Sequence, residues 1–254
     1  MKIASWNINS LRKRQDRLFA WLESTQPDVV CLQETKCTDE QFPVLPLQLA
    51  GYHSAYHGEK SYNGVAILSK QKPQDVRISL YDEVVDRQAR VIAAKIDNLR
   101  LYSIYAPNGQ AVGSPAYEYK LNWYMRLRDC LSKEKNRKLI VCGDFNVAPE
   151  DRDTYDPELW RGAIMCSNRE RAAFRQLCDV GLTDTLRLHR QESGLFSWWD
   201  YRMLSFPKNR GLRIDAILAS KSLSGKCTTA GIDREMRKGK EPSDHAPVWA
   251  EFEL

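Results

Sequence analysis

Short runs of near-continuous apolar residues, each of strand length, dominate this chain. Asp28 to Gln33 (DVVCLQ), Gly64 to Ser69 (GVAILS) and Leu139 to Phe145 (LIVCGDF) are of this kind. Strict alternation would mark a sheet with one wet face, whereas continuous apolar runs mark strands buried on both faces. A chain with several such strands must cover each sheet twice. Lys2 to Ile8 alternates and reads as a further strand, while Arg90 to Asp97 and Leu99 to Tyr105 read as a hairpin across Asp97-Asn98. Arg213 to Ser220 and Pro247 to Leu254 are the last clear strands.

Helices intervene irregularly. Asn9 or Ser10 is placed to cap a helix whose apolar positions are Leu11, Leu18, Phe19 and Leu22. Ser114 to Lys135 reads as a long helix with a stripe at Tyr117, Leu121, Tyr124 and Leu131. Ser167 and Glu170 have capping-box spacing ahead of a helix that ends near Gly181. This is not the strict alternation of a doubly wound parallel sheet. The pattern predicts an α/β fold of two mixed sheets packed face to face, with helices covering the outside. Strand ends and loops then gather along one rim, where sites tend to lie.

With 254 residues, 43% of them hydrophobic, and no Pro/Gly/Ser-rich linker, residues 1–254 are expected to form one domain. No apolar run approaches the ~18 residues of a membrane span. Met1 to Trp6 reads as a strand and not as a signal peptide. The seven cysteines lack a CxxC pair, and Cys31 and Cys142 fall inside apolar strands, the usage of buried thiols in a reducing cytosol. No Cys/His pairs have the spacing of structural zinc. The net charge of +5 permits a polyanionic partner without demanding one. Basic residues cluster at Arg12, Lys13, Arg14 and Arg17, at Lys133, Lys135, Arg137 and Lys138, and at Arg234, Arg237, Lys238 and Lys240.

The chemistry-bearing residues end strands. Among the four histidines, His245 alone sits in an acidic turn stiffened by proline, Pro242-Ser243-Asp244-His245-Ala246-Pro247. Glu34 follows a buried strand and could bind a hard cation through oxygen, with the Asn7 carbonyl beside it. Asp144 and Asn146, two apart, would share one face of an extended chain, with Phe145 turned into the core. Such a pair suits water activation beside a phosphoryl oxygen. Asp215 interrupts an apolar strand and needs a partner, either His245 or a cation such as Arg213. Tyr105 and Asn108, in Tyr105-Ala106-Pro107-Asn108-Gly109, could hydrogen-bond phosphate. Phe196 to Arg202 is aromatic-rich and could wall a pocket for a sugar or base, with Trp199 in the core. Together these groups point to a metal-dependent phosphodiesterase.

The motifs WNIN, LQETK, YAPNG, GDFN, GLRIDAILAS and SDHAPVWA follow one another along the whole chain. In this order the sequence resembles the exonuclease III family of abasic-site endonucleases, within the endonuclease/exonuclease/phosphatase superfamily. The resemblance implies a four-layer α/β sandwich. It implies Mg²⁺, or Mn²⁺ as a substitute, and action on duplex DNA with an abasic site or a blocked 3′ end; a cytoplasmic monomer is the default expectation. The backbone would be cut 5′ to the abasic sugar, with 3′-5′ exonuclease and 3′-phosphatase activity possible; the alternative is a relative that mainly processes 3′ ends. Under this resemblance Glu34 is the principal metal ligand, with Asn7, Asp144, Asn146, Asp244 and His245 around the ion. Either Asp144 or a Tyr105 phenolate serves as base, Asn146 holds water and a phosphate oxygen, and Asp215 orients His245 against the phosphorane. Tyr105, Asn108, Asn146 and His245 contact the scissile phosphate, and Trp198 and Leu212 line the abasic-sugar pocket.

Overall fold

The computed structural model describes residues 1–80, 82, 84, 86–134 and 138–254. Lys135 and Arg137, expected in the second basic cluster, lie outside the described residues, and the helix drawn to Lys135 ends at Ser132. The strands are β1 (Lys2–Asn7), β2 (Val29–Gln33), β3 (His53–His57), β4 (Val65–Ser69), β5 (Gln74–Arg77), β6 (Val91–Ile96), β7 (Leu99–Tyr105), β8 (Lys138–Asp144), β9 (Leu182–Asp184), β10 (Asp215–Ser220), β11 (Cys227–Ile232) and β12 (Val248–Phe252). The helices are α1 (Leu11–Thr25), α2 (Val44–Leu49), α3 (Pro115–Ser132), α4 (Pro157–Trp160), α5 (Asn168–Cys178), α6 (Thr185–His189) and α7 (Lys221–Ser224).

The strands form two six-stranded sheets, in the orders β11-β12-β1-β2-β4-β3 and β5-β6-β7-β8-β10-β9. Each has one parallel pair at its middle, β1 with β2 and β7 with β8, and the other pairs are antiparallel. A parallel pair needs a crossover, and α1 and α3 supply them. Alternation along each strand divides the side chains between two faces. Ile3, Val29, Cys31, Val65 and Ile67 meet Ile92, Leu101, Ile140, Cys142 and Ile217 between the sheets. Trp6, Val30 and Leu32 turn outward onto Leu18, Trp21 and Leu22 of α1. Tyr102, Val141 and Leu218 turn outward onto Trp123, Tyr124 and Leu127 of α3 and Phe174 of α5. The layers are helix, sheet, sheet, helix, as the apolar runs require. Among the described residues no helix is long and apolar enough to cross a membrane.

Several elements depart from expectation in detail. Ser10 occupies the cap position of α1 but makes no side-chain cap bond, because its backbone enters at φ 87°. On α3, Leu121 is only half-buried; the buried stripe runs through Tyr117, Lys120, Tyr124, Leu127 and Leu131. The strand expected from Arg213 begins at Asp215, since Arg213 N donates instead to Asp153 O at 2.9 Å. Arg14 and Arg17 are not a free basic face. Arg14 donates to the carbonyls of Glu241 and Pro242, and Arg17 to those of Met236, Lys238 and Lys240. The first and third basic clusters therefore converge, and the arginines of the first bind α1 to the segment that precedes His245.

A buried ion network fixes the entry to β10. Arg213 Nε lies 2.6 Å from Asp153 Oδ1 and its Nη1 2.7 Å from Asp184 Oδ2, while Arg187 also pairs with Asp153. Asp153 has no exposed surface. Burial would raise its carboxyl pKa, but Arg213 and Arg187 outweigh that and hold it below the usual range. A carboxyl whose folded pKa is depressed stabilises the fold above its unfolded value, near pH 4, and loses that contribution as pH falls through the folded value. We expect Asp153→Asn to lower stability at pH 7 by about 3–5 kcal/mol, as when one partner of a buried pair is removed. The deficit should shrink below pH 4. Chemical denaturation at pH 7 and pH 3 measures both; an equal deficit at the two pH values would refute the assignment.

Candidate active site

The strand ends bring acidic and amide side chains to one rim. Asn7 ends β1, Glu34 follows β2, Tyr105 ends β7 and Asp144 ends β8. The β7–β8 register places Tyr105 beside Asp144, and the β8–β10 register places Asp215 opposite it. Because β12 runs antiparallel to β1, the turn before Val248 arrives at the same edge and carries His245. The inter-sheet face becomes polar toward this edge. Below the site, Gln33 Nε2 donates to Ser5 Oγ and Ser103 Oγ, each at 3.1 Å, joining the two sheets.

Asn7 Nδ2 donates to Glu34 Oε1 at 2.8 Å and to Asp144 Oδ2 at 2.9 Å. Its Oδ1 accepts from Asn9 N at 3.1 Å. Asn7 thus offers the centre an N–H and not the expected carbonyl: it clamps two carboxylates from different sheets. Glu34 has φ 49°, which turns it out of the strand line. Lys36 Nζ sits 2.8 Å from Glu34 Oε2 and donates to Asn9 Oδ1 at 2.6 Å.

Asp144 and Asn146 meet, but not by strand alternation. The strand stops at Asp144, Asn146 has φ 50°, and Asn146 N donates to Asp144 Oδ1 at 2.8 Å. This is a tight turn closed by an aspartate side chain. Phe145 is buried against Phe174, as expected. Asn146 Nδ2 donates to Ala106 O at 2.9 Å, and Asn146 Oδ1 accepts from Asn108 Nδ2 at 3.3 Å.

His245 Nδ1 lies 2.9 Å from Asp215 Oδ2, and its Nε2 lies 3.7 Å from Asp144 Oδ2. Arg213, the competing partner for Asp215, is engaged elsewhere. Burial alone would lower the imidazole pKa, but the Asp215 and Asp144 carboxylates overcome it and lift it to about 10. A protonated ring donates from both nitrogens, and a neutral ring offers one of them to a metal ion. Burial and the Asp215 charge, against the pull of His245, push Asp144 up to about 7. Burial, with Glu34 and Asp144 nearby, pushes the Tyr105 phenol well above its usual value.

Asp244 stands apart. Its oxygens accept from Asn9 Nδ2 at 2.8 Å and Trp198 Nε1 at 3.0 Å. Burial would raise its pKa, but His245 and these donors hold it below the usual range. Trp198 bridges by backbone to both Leu212 and His245. Leu212 has no exposed surface and packs with Ala148, Met165 and Ile214. It therefore supports Trp198 from behind and does not face an open pocket.

Other short polar residues set this geometry, none of them expected at the site from sequence, where Asn9 reads only as a helix cap. Ser243 Oγ donates to Asn7 O at 2.7 Å and accepts from His245 N at 3.2 Å. Ser197 Oγ accepts from Ile214 N and Asp215 N, each at 3.1 Å. Asn9 links Asp244 to Lys36. Each carries the ordinary turn signature of its residue type, so no sequence signal separates it from other turn residues.

Glu34, Asp144 and His245 each offer an atom within 4.8 Å of the others. The two carboxylates of this group suit a hard divalent cation. The Lys36 ammonium on Glu34 and the raised Asp144 both mark a centre with surplus negative charge, which a cation would balance.

The chain matches the endonuclease/exonuclease/phosphatase family model over residues 4–245. It is 40% identical to exodeoxyribonuclease III of Haemophilus influenzae, over 99% of this chain and 100% of that protein. It is 34% identical to the DNA repair nuclease APEX1 of Danio rerio, over 98% of this chain and 81% of that protein. Among solved structures, the 3′ phosphatase NExo from Neisseria bound to a product DNA hairpin superposes with a TM-score of 0.97 at 43% identity, covering 100% of both chains. An AP endonuclease from Archaeoglobus fulgidus gives 0.97 at 35% identity, also covering 100% of both. The two mixed sheets thus have their counterpart across the full chain, which belongs to the endonuclease/exonuclease/phosphatase family.

Proposed function

We propose that this protein is a DNA-repair nuclease that hydrolyses phosphate esters at abasic sites and at 3′ ends of duplex DNA. The observation that carries the reading is the Asp215–His245–Asp144 line with Glu34 beside it. A fixed cationic donor and a carboxylate able to accept a proton near pH 7 converge on one rim. That arrangement fits in-line attack of water on a phosphodiester. The relatives narrow the substrate to DNA, and their names divide between abasic-site cleavage and 3′-end removal.

Asp144 takes the proton of the attacking water. Tyr105, held neutral by burial, donates its hydroxyl to the phosphate with the Asn108 and Asn146 amides. His245, oriented by Asp215, donates from Nε2 to the phosphoryl oxygen whose charge grows in the transition state. Glu34, with Asp144, would hold Mg²⁺ or Mn²⁺ through oxygen. When bound, such an ion stabilises charge on the phosphate and the leaving oxygen. Trp198 walls the space for a base-less sugar; an intact nucleotide would first have to unstack, at a cost of a few kcal/mol. Seven free cysteines suit a reducing compartment, and the protein acts as a cytoplasmic monomer on residues 1–254, one domain.

A second reading, mainly 3′-end processing, is favoured by the buried Leu212 and by the likeness to the Neisseria 3′ phosphatase. Two labelled duplexes separate the two, one with an internal abasic-site analogue and one with a 3′-phosphate. Incision of the first with Mg²⁺ and none in EDTA is expected; action on the second alone makes the second reading correct, and action on neither removes both. Asp144→Asn should lower kcat by roughly 10²–10⁴-fold, the loss typical of a general base. Tyr105→Phe should lose only about tenfold, the weight of one hydrogen bond. The reverse ranking would make the phenolate the base. Asp215→Asn should bring the alkaline limb of the pH–rate profile, set near 10 by His245, to lower pH; an unmoved limb would uncouple the pair from catalysis.

A further inference from the structure

Lys120 is a fully buried ammonium in the middle of the stripe that packs α3 onto its sheet, a position where an apolar residue would do for packing. Burying a charge is costly unless every donor is satisfied, and here all three are. Lys120 Nζ donates to Asn146 O at 2.7 Å, Asn108 O at 3.0 Å and Glu170 Oε1 at 2.5 Å. Glu170 is held in turn by Ser167 Oγ at 2.6 Å and Met165 N at 3.0 Å. One turn along α3, Tyr124 Oη donates to Phe145 O at 2.5 Å. The helix thus grips successive carbonyls of the turn that carries Asn146. Gly109 closes over the lysine stem: a Cβ there would stand 3.0 Å from Lys120 Cδ. Beyond the two gripped carbonyls, the side chains of Asn108 and Asn146 meet at 3.3 Å.

We propose that Lys120 is a positioning residue for the reaction, fixing the backbones of Asn108 and Asn146 and so the place where their amides receive the phosphate. The proposal rests on the nuclease reading of the site. It explains why an ion pair is kept in an otherwise apolar layer. The two loops leave the paired ends of β7 and β8, where Ala106 N donates to Asp144 O at 2.9 Å, and farther out a tetrahedral donor reaches both carbonyls at once.

Lys120→Met alone leaves Glu170 charged and unpaired, so the test uses Lys120→Met/Glu170→Gln, which retains an acceptor for the helix cap. Three quantities are measured: the melting temperature, the side-chain amide NMR signals of Asn108 and Asn146, and cleavage of the abasic-site and 3′-phosphate duplexes. Expected are a near wild-type melting temperature, displaced asparagine signals and kcat lowered by about 10–100-fold, the scale of small misplacements. DNA affinity in EDTA should stay within about threefold. Undisplaced signals, or wild-type kcat in the folded double variant, would overturn the proposal. Should the wild type cleave neither duplex, the nuclease reading fails, and the asparagine signals alone decide whether Lys120 positions them.

Discussion

The structure depends on the contact between the two sheets. Each sheet buries its inner face against the other, so the strands keep a fixed register across the interface, and close packing transmits any shift. The interface is apolar over most of its depth, from Ile3 and Val29 to Ile140 and Ile217. It turns polar near one edge, at Ser5, Gln33, Ser103 and Asn7, and becomes charged at Glu34 and Asp144. The site is the wet end of the core. Asn7 can reach Glu34 on its own sheet and Asp144 on the other only because this packing fixes the distance between sheets.

Electrostatics at that edge are unbalanced by design of the strand ends. Asp144, Asp215 and Glu34 crowd one imidazole and one ammonium, His245 and Lys36. Burial and the Asp215 charge raise Asp144 toward neutrality, while the Asp215 and Asp144 carboxylates raise His245 against the effect of its burial. Clustered carboxylates thus raise both groups, Asp144 by repulsion and His245 by attraction. The same crowding explains the fit of the carboxylate pair to a divalent cation.

The other buried charges serve as fasteners. Arg213 with Asp153, Asp184 and Arg187 anchors the start of β10, where Asp215 emerges. Lys120 with Glu170 anchors the loops of Asn108 and Asn146. Arg14 and Arg17 anchor the segment leading to His245. Of the clustered basic residues, Arg14, Arg17, Arg234 and Arg237 bond to backbone carbonyls of loops, where regular hydrogen bonding ends and donors are needed, while Arg12, Lys13, Lys238 and Lys240 stay exposed.

The sequence by itself determined the layers and most elements. Continuous apolar runs such as DVVCLQ can only be satisfied between two covered faces, and the Asp97-Asn98 hairpin and the Ser167–Glu170 capping box are local chemistry. It also determined which residue types stand at strand ends, since Glu34, Tyr105, Asp144, Asp215 and His245 all break apolar patterns. Only the tertiary structure decided what each of them touches. Asn7 turned its N–H inward because Asn9 N claimed its carbonyl. Asn146 reached Asp144 through a left-handed turn and not along a strand. Asp244 was drawn away by Trp198 and Asn9, and Leu212 was sealed behind the tryptophan. Periodicity reports which face a side chain takes; the partner at the end of that side chain depends on segments hundreds of residues away, and no local pattern encodes the distance between them.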